Sequence, residues 1–286
     1  MRVSGEMRTT GTGLSERLQW RGLGVAISFL TRLPWAGQRE VAPDDLTRSS
    51  RFYGWVGAGI GLWIGACYLL LHLVFAPLLA ATVATGAGIL ATGAMHEDAL
   101  GDVADGFGGG TTKERKLEIM KDSRQGSYGV LAMVLSLLLR IQALAWLPPA
   151  WVLPGLVAVH GLSRTGMVWM LWRIPSARPG GMAASLGGIS AVDVAWATAG
   201  GLILAALALG AGAAVPVVAT ILAVLVVSWL SLRHIGGVTG DVLGSAQQLA
   251  ELLGLLALVA VLRNPVLVSA LTPPWLGSLA LGALRW

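Results

Sequence analysis

The chain has 286 residues, of which 55% are hydrophobic and only 12% are charged. Soluble domains carry charge on about a quarter of their residues, so this composition excludes an ordinary soluble protein and indicates a helical protein of the lipid bilayer. The net charge of +5 does not indicate nucleic-acid binding, because the basic residues lie between apolar runs, as the positive-inside bias of membrane proteins explains.

Apolar runs long enough to cross a bilayer recur along the chain. A polar, mobile N-terminal segment (1–24) is predicted first, and the partly amphipathic pattern of 14–33 predicts an interfacial helix that Pro34 ends. Spans are predicted at 52–75, 78–95, 130–147, 151–172, 192–209, 213–232, 249–262 and 266–284. We therefore predict an all-α, polytopic membrane bundle of six to eight spans, in which residues 25–286 form one catalytic domain.

The basic residues also predict an orientation. If the Arg-bearing N-terminus is cytoplasmic, the polar segments 96–129, 173–190 and 233–248 all return to the cytoplasmic side. The turns on the opposite side carry neither Lys nor Arg, with Arg263 as the exception. This pattern predicts a multi-pass protein of the bacterial inner membrane, with one cytoplasmic site built from the three polar segments.

The most unusual segment is 96–129, which holds seven of the fifteen acidic residues and five of the twenty Lys and Arg residues. Asp98, Asp102 and Asp105 follow one another at spacings of four and three, which places them on one stripe of a helix. Carboxylates on one stripe repel each other unless a cation lies among them, and hard oxygen ligands suit Mg²⁺. The stripe predicts a Mg²⁺ site; a solvated acidic helix end is the alternative.

Glycine and basic residues follow the aspartates. The candidates for binding a phosphorylated substrate are Gly106, Gly108, Gly109, Lys121 and Arg124. Such glycines either let backbone N–H groups approach phosphate or form a flexible turn. The basic side chains either hold a diphosphate or anchor the chain at the membrane surface. Asp122 either completes a metal site or pairs with Arg124, and His96 is either a ligand or a hydrogen-bonded helix-end residue.

Two further features belong to the same hypothesis. Arg140 and Arg164 lie inside predicted spans, where an arginine serves a functional site, snorkels to the membrane surface or pairs structurally. Arg164 is predicted to bind substrate, and Arg140 is left open. Asp241 is the only acid of a second glycine-rich segment, RHIGGVTGDVLGSAQQ, and predicts a second phosphate or metal contact. Together these residues predict Mg²⁺-dependent phosphoryl or phospho-group transfer at a membrane face.

Several separated motifs resemble those of the cobalamin synthase family (adenosylcobinamide-GDP ribazoletransferase). They are FLTRLP at 29–34, H-x-D-x-x-x-D-x-x-D-G at 96–106, LEIMKDSRxGxYG at 117–129 and GGxTGDxxGxxxQ at 236–247. The resemblance covers about residues 25–260. Ala99 and Gly101 depart from the family pattern, which has Gly and Ala there, but both residues are small and the acidic spacing is unchanged.

The resemblance implies the last step of the cobamide nucleotide loop. α-Ribazole, or its 5′-phosphate, is joined to adenosylcobinamide-GDP, adenosylcobalamin or its phosphate forms, and GMP leaves. It also implies that Asp98, Asp102 and Asp105 hold Mg²⁺, that one of them or Asp122 is the general base, and that Asp241 contacts GDP or a second metal ion. The number of metal ions is left open, as is the oligomeric state, for which a homo-oligomer is a candidate.

Two alternatives are less well supported by the sequence. A CDP-alcohol phosphotransferase of lipid synthesis would share membrane aspartates and Mg²⁺, but its D-G-x-x-A-R pattern is not present, because FGGG follows Asp105-Gly106. A transporter would place its acids near the middle of the bilayer, whereas most acids of segment 96–129 lie together outside the predicted spans.

Overall fold

The computed structural model describes residues 11–34, 42–186 and 188–271. Every regular element in these ranges is helical, apart from an isolated parallel β-bridge between Ser176 and Val238. The α-helices are α1 (Gly11–Leu30), α2 (Pro43–Ser49), α3 (Tyr53–His72), α4 (Pro77–Thr92), α5 (Met95–Gly109), α6 (Lys113–Ile119), α7 (Ser127–Trp146), α8 (Pro149–Arg173), α9 (Met182–Ser185), α10 (Ala191–Leu209), α11 (Ala214–Ile235), α12 (Gly240–Leu262) and α13 (Pro265–Leu271). The predicted all-α fold class is confirmed.

Four helical stretches of the described chain are long and apolar enough to cross a membrane, and a fifth is obtained if the bent pair α4–α5 is one span. The four are Asp44–His72, Ser127–Trp146, Ala191–Ile235 and Gly240–Leu262. The sequence predicted six to eight spans. That number is larger because it includes α8 and counts α10 and α11 as two spans. Most of the last predicted span, 266–284, lies outside the described residues.

The stretch that contains α10 and α11 turns back on itself at Gly210–Ala213. On α8, the Thr165 hydroxyl lies 3.5 Å from the Ala197 carbonyl of α10, and the Cβ position of the next residue, Gly166, lies 2.8 Å from Val224 of α11. Along a straight helix Ala197 and Val224 would be about 40 Å apart. The two halves therefore fold back across α8, which agrees with the two separate spans that the sequence predicted.

Helix α8 lies at the centre of the bundle, against α3, α10, α11 and α12. Its closest neighbour is α3, because small residues at the contact let the two backbones approach. A Cβ atom on Gly57 would collide with the carbonyl oxygen of His160, and one on Gly61 would collide with the carbonyl oxygen of Leu156. Two glycines one helical turn apart thus set the distance between these helices.

Replacing Gly57 by Ala is therefore expected to lower the thermal unfolding temperature of the detergent-solubilised protein, because the helices must separate to admit the methyl group. Gly59 is the matched control on the same helix, since its Cβ position has nothing within 4 Å. Gly59→Ala is expected to leave the unfolding temperature unchanged or raise it slightly. Equal unfolding temperatures for the two variants would contradict this packing.

A sharp bend separates α4 from α5. Gly93 and Ala94 both have left-handed backbone angles, with φ values of 71° and 60°, and the two helices meet at 88°. Ala94 is the only non-glycine residue with positive φ in the described chain, and such a conformation costs an alanine about 1 kcal/mol. The bend redirects the chain, so that α5 crosses the end of the bundle instead of continuing along α4.

Three boundaries differ from the predictions. Helix α1 begins at Gly11 and so includes much of the segment predicted as a mobile N-terminus, while residues 1–10 lie outside the described chain. The segment 233–248 is mostly helical, because α11 continues to Ile235 and α12 begins at Gly240. Glycine disfavours helix, and Gly244 nevertheless lies within α12. Its Cβ position is only 2.6 Å from the Ala99 methyl of α5, so this contact requires a residue without a side chain.

Candidate active site

Three polar segments meet at one end of the bundle, which we call the polar end: α5–α6, the residues after α8, and the corner between α11 and α12. The Ala177 N–H donates to the Val238 carbonyl at 2.9 Å, and the Val238 N–H donates to the Pro175 carbonyl at 2.9 Å. The Ser245 hydroxyl donates to the Ala99 carbonyl at 2.9 Å and joins α12 to α5. The three segments therefore share one end, as predicted.

Asp98 and Asp102 face a common partner at the polar end. The amide nitrogen of Gln125 donates to one oxygen of each carboxylate, at 3.2 Å in both cases. Asp98 is exposed and Asp102 is half-buried. The predicted helical stripe is thus present for these two residues, and the Gln125 amide is bonded to both carboxylates.

Asp105, the third member of the stripe, has a different partner. One of its oxygens accepts the Gly126 N–H at 2.6 Å, and the other accepts the Gly129 N–H at 2.8 Å. These are free N–H groups at the start of α7, where Gly126 has no side chain with which to cap the helix. A carboxylate is favourable at a helix N-terminus, so the structure gives buried Asp105 the role of a cap that joins α5 to α7.

Asp241 lies near the stripe, on the first turn of α12. Its carboxylate accepts a hydrogen bond from Thr239 at 3.2 Å and lies 3.4 Å from the Arg178 guanidinium. It is close enough to interact electrostatically with Asp98 and Asp102. Three carboxylates from two helices therefore lie near one another at the polar end, and the contact that the sequence predicted for Asp241 stays a prediction.

The arrangement fits a Mg²⁺ ion held by few protein ligands. In the described ranges, no group of three or more His, Cys, Asp or Glu side chains is close enough to hold a metal ion, so the predicted set Asp98, Asp102, Asp105 and Asp241 is not preassembled. Mg²⁺ usually takes one or two carboxylates together with waters and substrate phosphates. Asp98 and Asp102 would supply two such ligands, and the nearby negative charge of Asp241 also favours a cation.

Asp122 and Arg124 form an exposed pair on the loop between α6 and α7. The Arg124 guanidinium lies 2.7 Å from the Asp122 carboxylate. Hydrogen bonds from the Arg124 side chain and backbone hold the pKa of Asp122 down at about 2. A carboxylate with such a pKa is a weak proton acceptor, so Asp122 is poorly suited to the predicted role of general base. Lys121 is exposed beside this pair.

Asp122 is therefore expected not to titrate during turnover. Because its pKa is depressed to about 2, the carboxylate remains ionised throughout the range above about pH 4. In Asp122→Asn, the acidic limb of the pH–rate profile is expected to stay at the wild-type position, even if the maximal rate falls. A limb that moved or disappeared in this variant would assign the titrating group to Asp122.

The glycine run lies in the last turn of α5 and not in a loop. Gly106 packs against Met120 and the Lys116 backbone, and the Cβ position of Gly108 is 2.9 Å from the Tyr128 ring. Helical N–H groups are already bonded to carbonyls four residues back, so Gly106, Gly108 and Gly109 do not form the predicted phosphate cradle in this conformation. Their small size lets α6 and Tyr128 pack closely against α5.

Arg164 and Arg140 lie beneath the polar end in a buried ionic network that we define as Glu97, Arg140, His160, Arg164 and Glu251. Arg164 lies 2.7 Å from Glu251, and Arg140 lies 3.0 Å from Glu251 and 2.8 Å from Glu97. His160 Nδ1 is 2.6 Å from Glu251. Both arginines are buried and paired, which is one of the alternatives that the sequence left open for them.

The sequence analysis did not single out Glu251, His160 or Gln125. Glu251 carried a signal, since an acid inside an otherwise apolar run is a functional or paired residue by default. Gln125 carried none, because its importance comes from its contacts with α5. His96 is buried, and in the described chain its Nε2 has no hydrogen-bond partner, so it does not reach the exposed carboxylates.

Comparisons with known proteins agree with the motifs. The model of the family described as cobalamin-5-phosphate synthase matches residues 22–259. A protein of Bradyrhizobium diazoefficiens named adenosylcobinamide-GDP ribazoletransferase is 41% identical over 245 residues, which is 83% of this chain and 93% of that protein. Proteins with the same name from Shewanella amazonensis and Azorhizobium caulinodans are each 40% identical, over 82% and 84% of this chain and 93% and 96% of their own lengths.

No solved structure matches the chain. The family match spans the four motifs and every carboxylate of the polar end, from Asp98 to Asp241. The resemblance noted from the motifs is thereby confirmed, and the chain belongs to the cobalamin-5-phosphate synthase family.

Proposed function

We propose that this protein is a Mg²⁺-dependent transferase that joins α-ribazole, or its 5′-phosphate, to adenosylcobinamide-GDP with release of GMP. The relatives' name, adenosylcobinamide-GDP ribazoletransferase, supports the substrates. The observation that carries the chemistry is the pair Asp98 and Asp102, which share the Gln125 amide and interact electrostatically with Asp241. The family match also favours this function over the CDP-alcohol phosphotransferase and the transporter.

The proposed reaction exchanges one phosphorus–oxygen bond for another. A hydroxyl oxygen of the ribazole attacks the phosphorus that bears cobinamide, the bond from that phosphorus to the GMP oxygen breaks, and the hydroxyl proton passes to a carboxylate. Asp98 or Asp102 is the proposed acceptor, because both oxygens of Asp105 are engaged by backbone N–H groups and Asp122 has a strongly depressed pKa. When bound, Mg²⁺ would neutralise charge on the diphosphate.

Basic side chains at the rim would hold the nucleotide. Arg124 and Lys121 are exposed on the loop between α6 and α7, and Arg178 is paired with Asp241 of α12. Arg178 is a proposed substrate contact that the sequence analysis had not named. Its guanidinium can bind a phosphate with two parallel hydrogen bonds.

We also propose that the polar end faces the cytoplasm of a bacterial cell, with the protein in its inner membrane. The support is the distribution of Lys and Arg, which are frequent in the three polar segments and rare in the turns at the other end. This orientation would give the site access to a nucleotide-linked substrate in the cytoplasm.

The direct test uses the purified full chain in lipid nanodiscs. The protein is incubated with adenosylcobinamide-GDP and α-ribazole or its 5′-phosphate, and GMP and the corrinoid product are measured by chromatography. We expect stoichiometric GMP and product with Mg²⁺, and none after EDTA treatment until Mg²⁺ is restored. If no GMP formed in the presence of both substrates and Mg²⁺, the proposed reaction would be overturned. Equal rates of GMP release with and without EDTA would overturn only the metal requirement.

A further inference from the structure

The buried ionic network lies directly beneath the proposed site and includes one residue of α5. Glu97 precedes Asp98 in the sequence, but the two side chains point to different surroundings. The Glu97 carboxylate accepts hydrogen bonds from Arg140 at 2.8 Å and from Gln248 at 3.1 Å, whereas Asp98 is exposed at the polar end. Adjacent residues of a helix point about 100° apart, so a fixed Glu97 also fixes the direction of Asp98.

The network contains equal numbers of carboxylates and guanidinium groups. Two carboxylates, Glu97 and Glu251, are paired with two guanidinium groups, Arg140 and Arg164. The side chains of Arg164 and Glu251 are each only 2% exposed. Removing one partner from such a buried pair leaves an uncompensated charge, which is strongly destabilising. The network therefore favours one relative position of the helices that carry it, namely α5, α7, α8 and α12.

Helix α5 needs such a constraint because its covalent connection does not provide one. The left-handed residues Gly93 and Ala94 interrupt the helix between α4 and α5, so that α4 does not set the rotation of α5 about its axis. The contacts of Glu97 with Arg140 and Gln248 link α5 to α7 and α12 on the buried side. They act together with the hydrogen bond from Ser245 to the Ala99 carbonyl.

A small cavity of about 30 Å³ adjoins the network and is lined by Glu97, Arg140, Arg164 and Glu251, among others. Its volume suits about one water molecule. In the described chain, Glu97 Oε2, Arg140 Nε and Arg164 Nε have no hydrogen-bond partner. The ion pairs therefore do not use all the hydrogen-bonding atoms of the network, and the cavity has room for a water molecule beside them.

We infer that Glu97, Arg140, Glu251 and Arg164 are positioning residues of the proposed transfer reaction: they set the rotation of α5, so that Asp98 and Asp102 face Asp241 and the substrate. This inference rests on the proposed function. It predicts that substitutions in the network slow catalysis by changing the orientation of α5, although the network itself does not contact the substrate.

The test compares Glu97→Gln with the wild-type chain in nanodiscs. The substitution keeps the shape of the side chain and removes its charge. We expect kcat to fall about 10- to 100-fold, the loss typical of a small displacement of catalytic groups, with KM changed less than about threefold and α5 exchanging backbone hydrogen for deuterium faster than in the wild type. The matched control is Glu118→Gln, which removes the exposed pair with Arg115 and is expected to leave kcat and exchange unchanged.

Further variants test whether the charge of Arg140 and its contact with Glu97 are responsible for the loss of activity. Arg140→Lys keeps the charge and is expected to retain more activity than Arg140→Gln. The double variant Glu97→Gln/Arg140→Gln is expected to lose no more activity than Arg140→Gln alone, because both act through one contact. If the Arg140 variants do not accumulate in the membrane, Gln248→Met provides a second test, since it removes the other hydrogen bond to Glu97 and leaves both arginines paired.

The outcomes separate this inference from the proposed function. Wild-type kcat and wild-type exchange of α5 in Glu97→Gln would overturn the inference. So would faster exchange throughout the protein with unchanged kcat per folded molecule, since that result describes a purely structural network. If the wild-type chain releases no GMP, the proposed function fails, and hydrogen exchange in α5 still reports whether the network fixes this helix.

Discussion

Asp102→Asn is expected to reduce GMP release by at least about 100-fold while leaving the protein in the membrane. The substitution removes one of the two carboxylates that face the Gln125 amide and would bind Mg²⁺. Loss of one group that stabilises charge at a reacting centre commonly costs 100-fold or more. The side chain is only half-buried, and asparagine keeps its shape, so the fold is expected to remain intact.

The measurement is GMP release per amount of membrane-extracted protein, with Glu118→Gln as the matched control. Glu118 is also an acid of segment 96–129, but it lies exposed on α6 and pairs with Arg115. Glu118→Gln is therefore expected to keep nearly full activity. Near-normal turnover by Asp102→Asn would remove the carboxylate pair from the mechanism. A loss in both variants would show that the assay responds to the net charge of the segment and not to Asp102.

The positions of most helices followed from apolar runs. A segment that crosses a membrane must satisfy its backbone hydrogen bonds internally, which an unbroken helix does. The predicted spans 130–147 and 151–172, for example, match α7 and α8 within a few residues. The predictions were weaker where glycine-rich sequence suggested a loop. Gly106 and Gly244 lie inside helices because close packing against neighbouring helices requires a residue without a side chain, and such contacts involve residues distant in sequence.

The sequence predicted only part of the candidate site, because some contacts of the site also join residues that are distant in sequence. The four-residue spacing placed Asp98 and Asp102 on one face of a helix, which the structure shows. The spacing of Asp105 fits the same stripe, but its partners are backbone N–H groups more than 20 residues away. Backbone donors leave no mark in the sequence, so this cap was not predictable. Glu251 was visible as an intramembrane acid, yet only the fold pairs it with Arg140 and Arg164.

Gly129→Ala is expected to impair both stability and activity, because the start of α7 is built around Asp105. A Cβ atom at position 129 would collide with the Asp105 carboxylate, and it would lie 2.7 Å from Gln125 Oε1 and 2.8 Å from the Gly101 carbonyl oxygen. Asp105 would then have to leave the N–H groups that it caps, and Gln125 would have to leave Asp98 and Asp102. The G-S-Y-G sequence thus leaves room for carboxylate and amide groups of the site.

We expect Gly129→Ala to destabilise the protein by about 1–3 kcal/mol, the usual cost of forcing an extra methyl group into a packed position, and to reduce activity beyond the loss of folded protein. Thermal unfolding in detergent and GMP release per folded molecule measure the two effects separately. Gly86→Ala is the matched control, since the Cβ position of this α4 glycine has nothing within 4 Å. If Gly129→Ala instead matched Gly86→Ala in both measurements, Asp105 would not be held against α7, and the cap that orders the loop before α7 would have to be rejected.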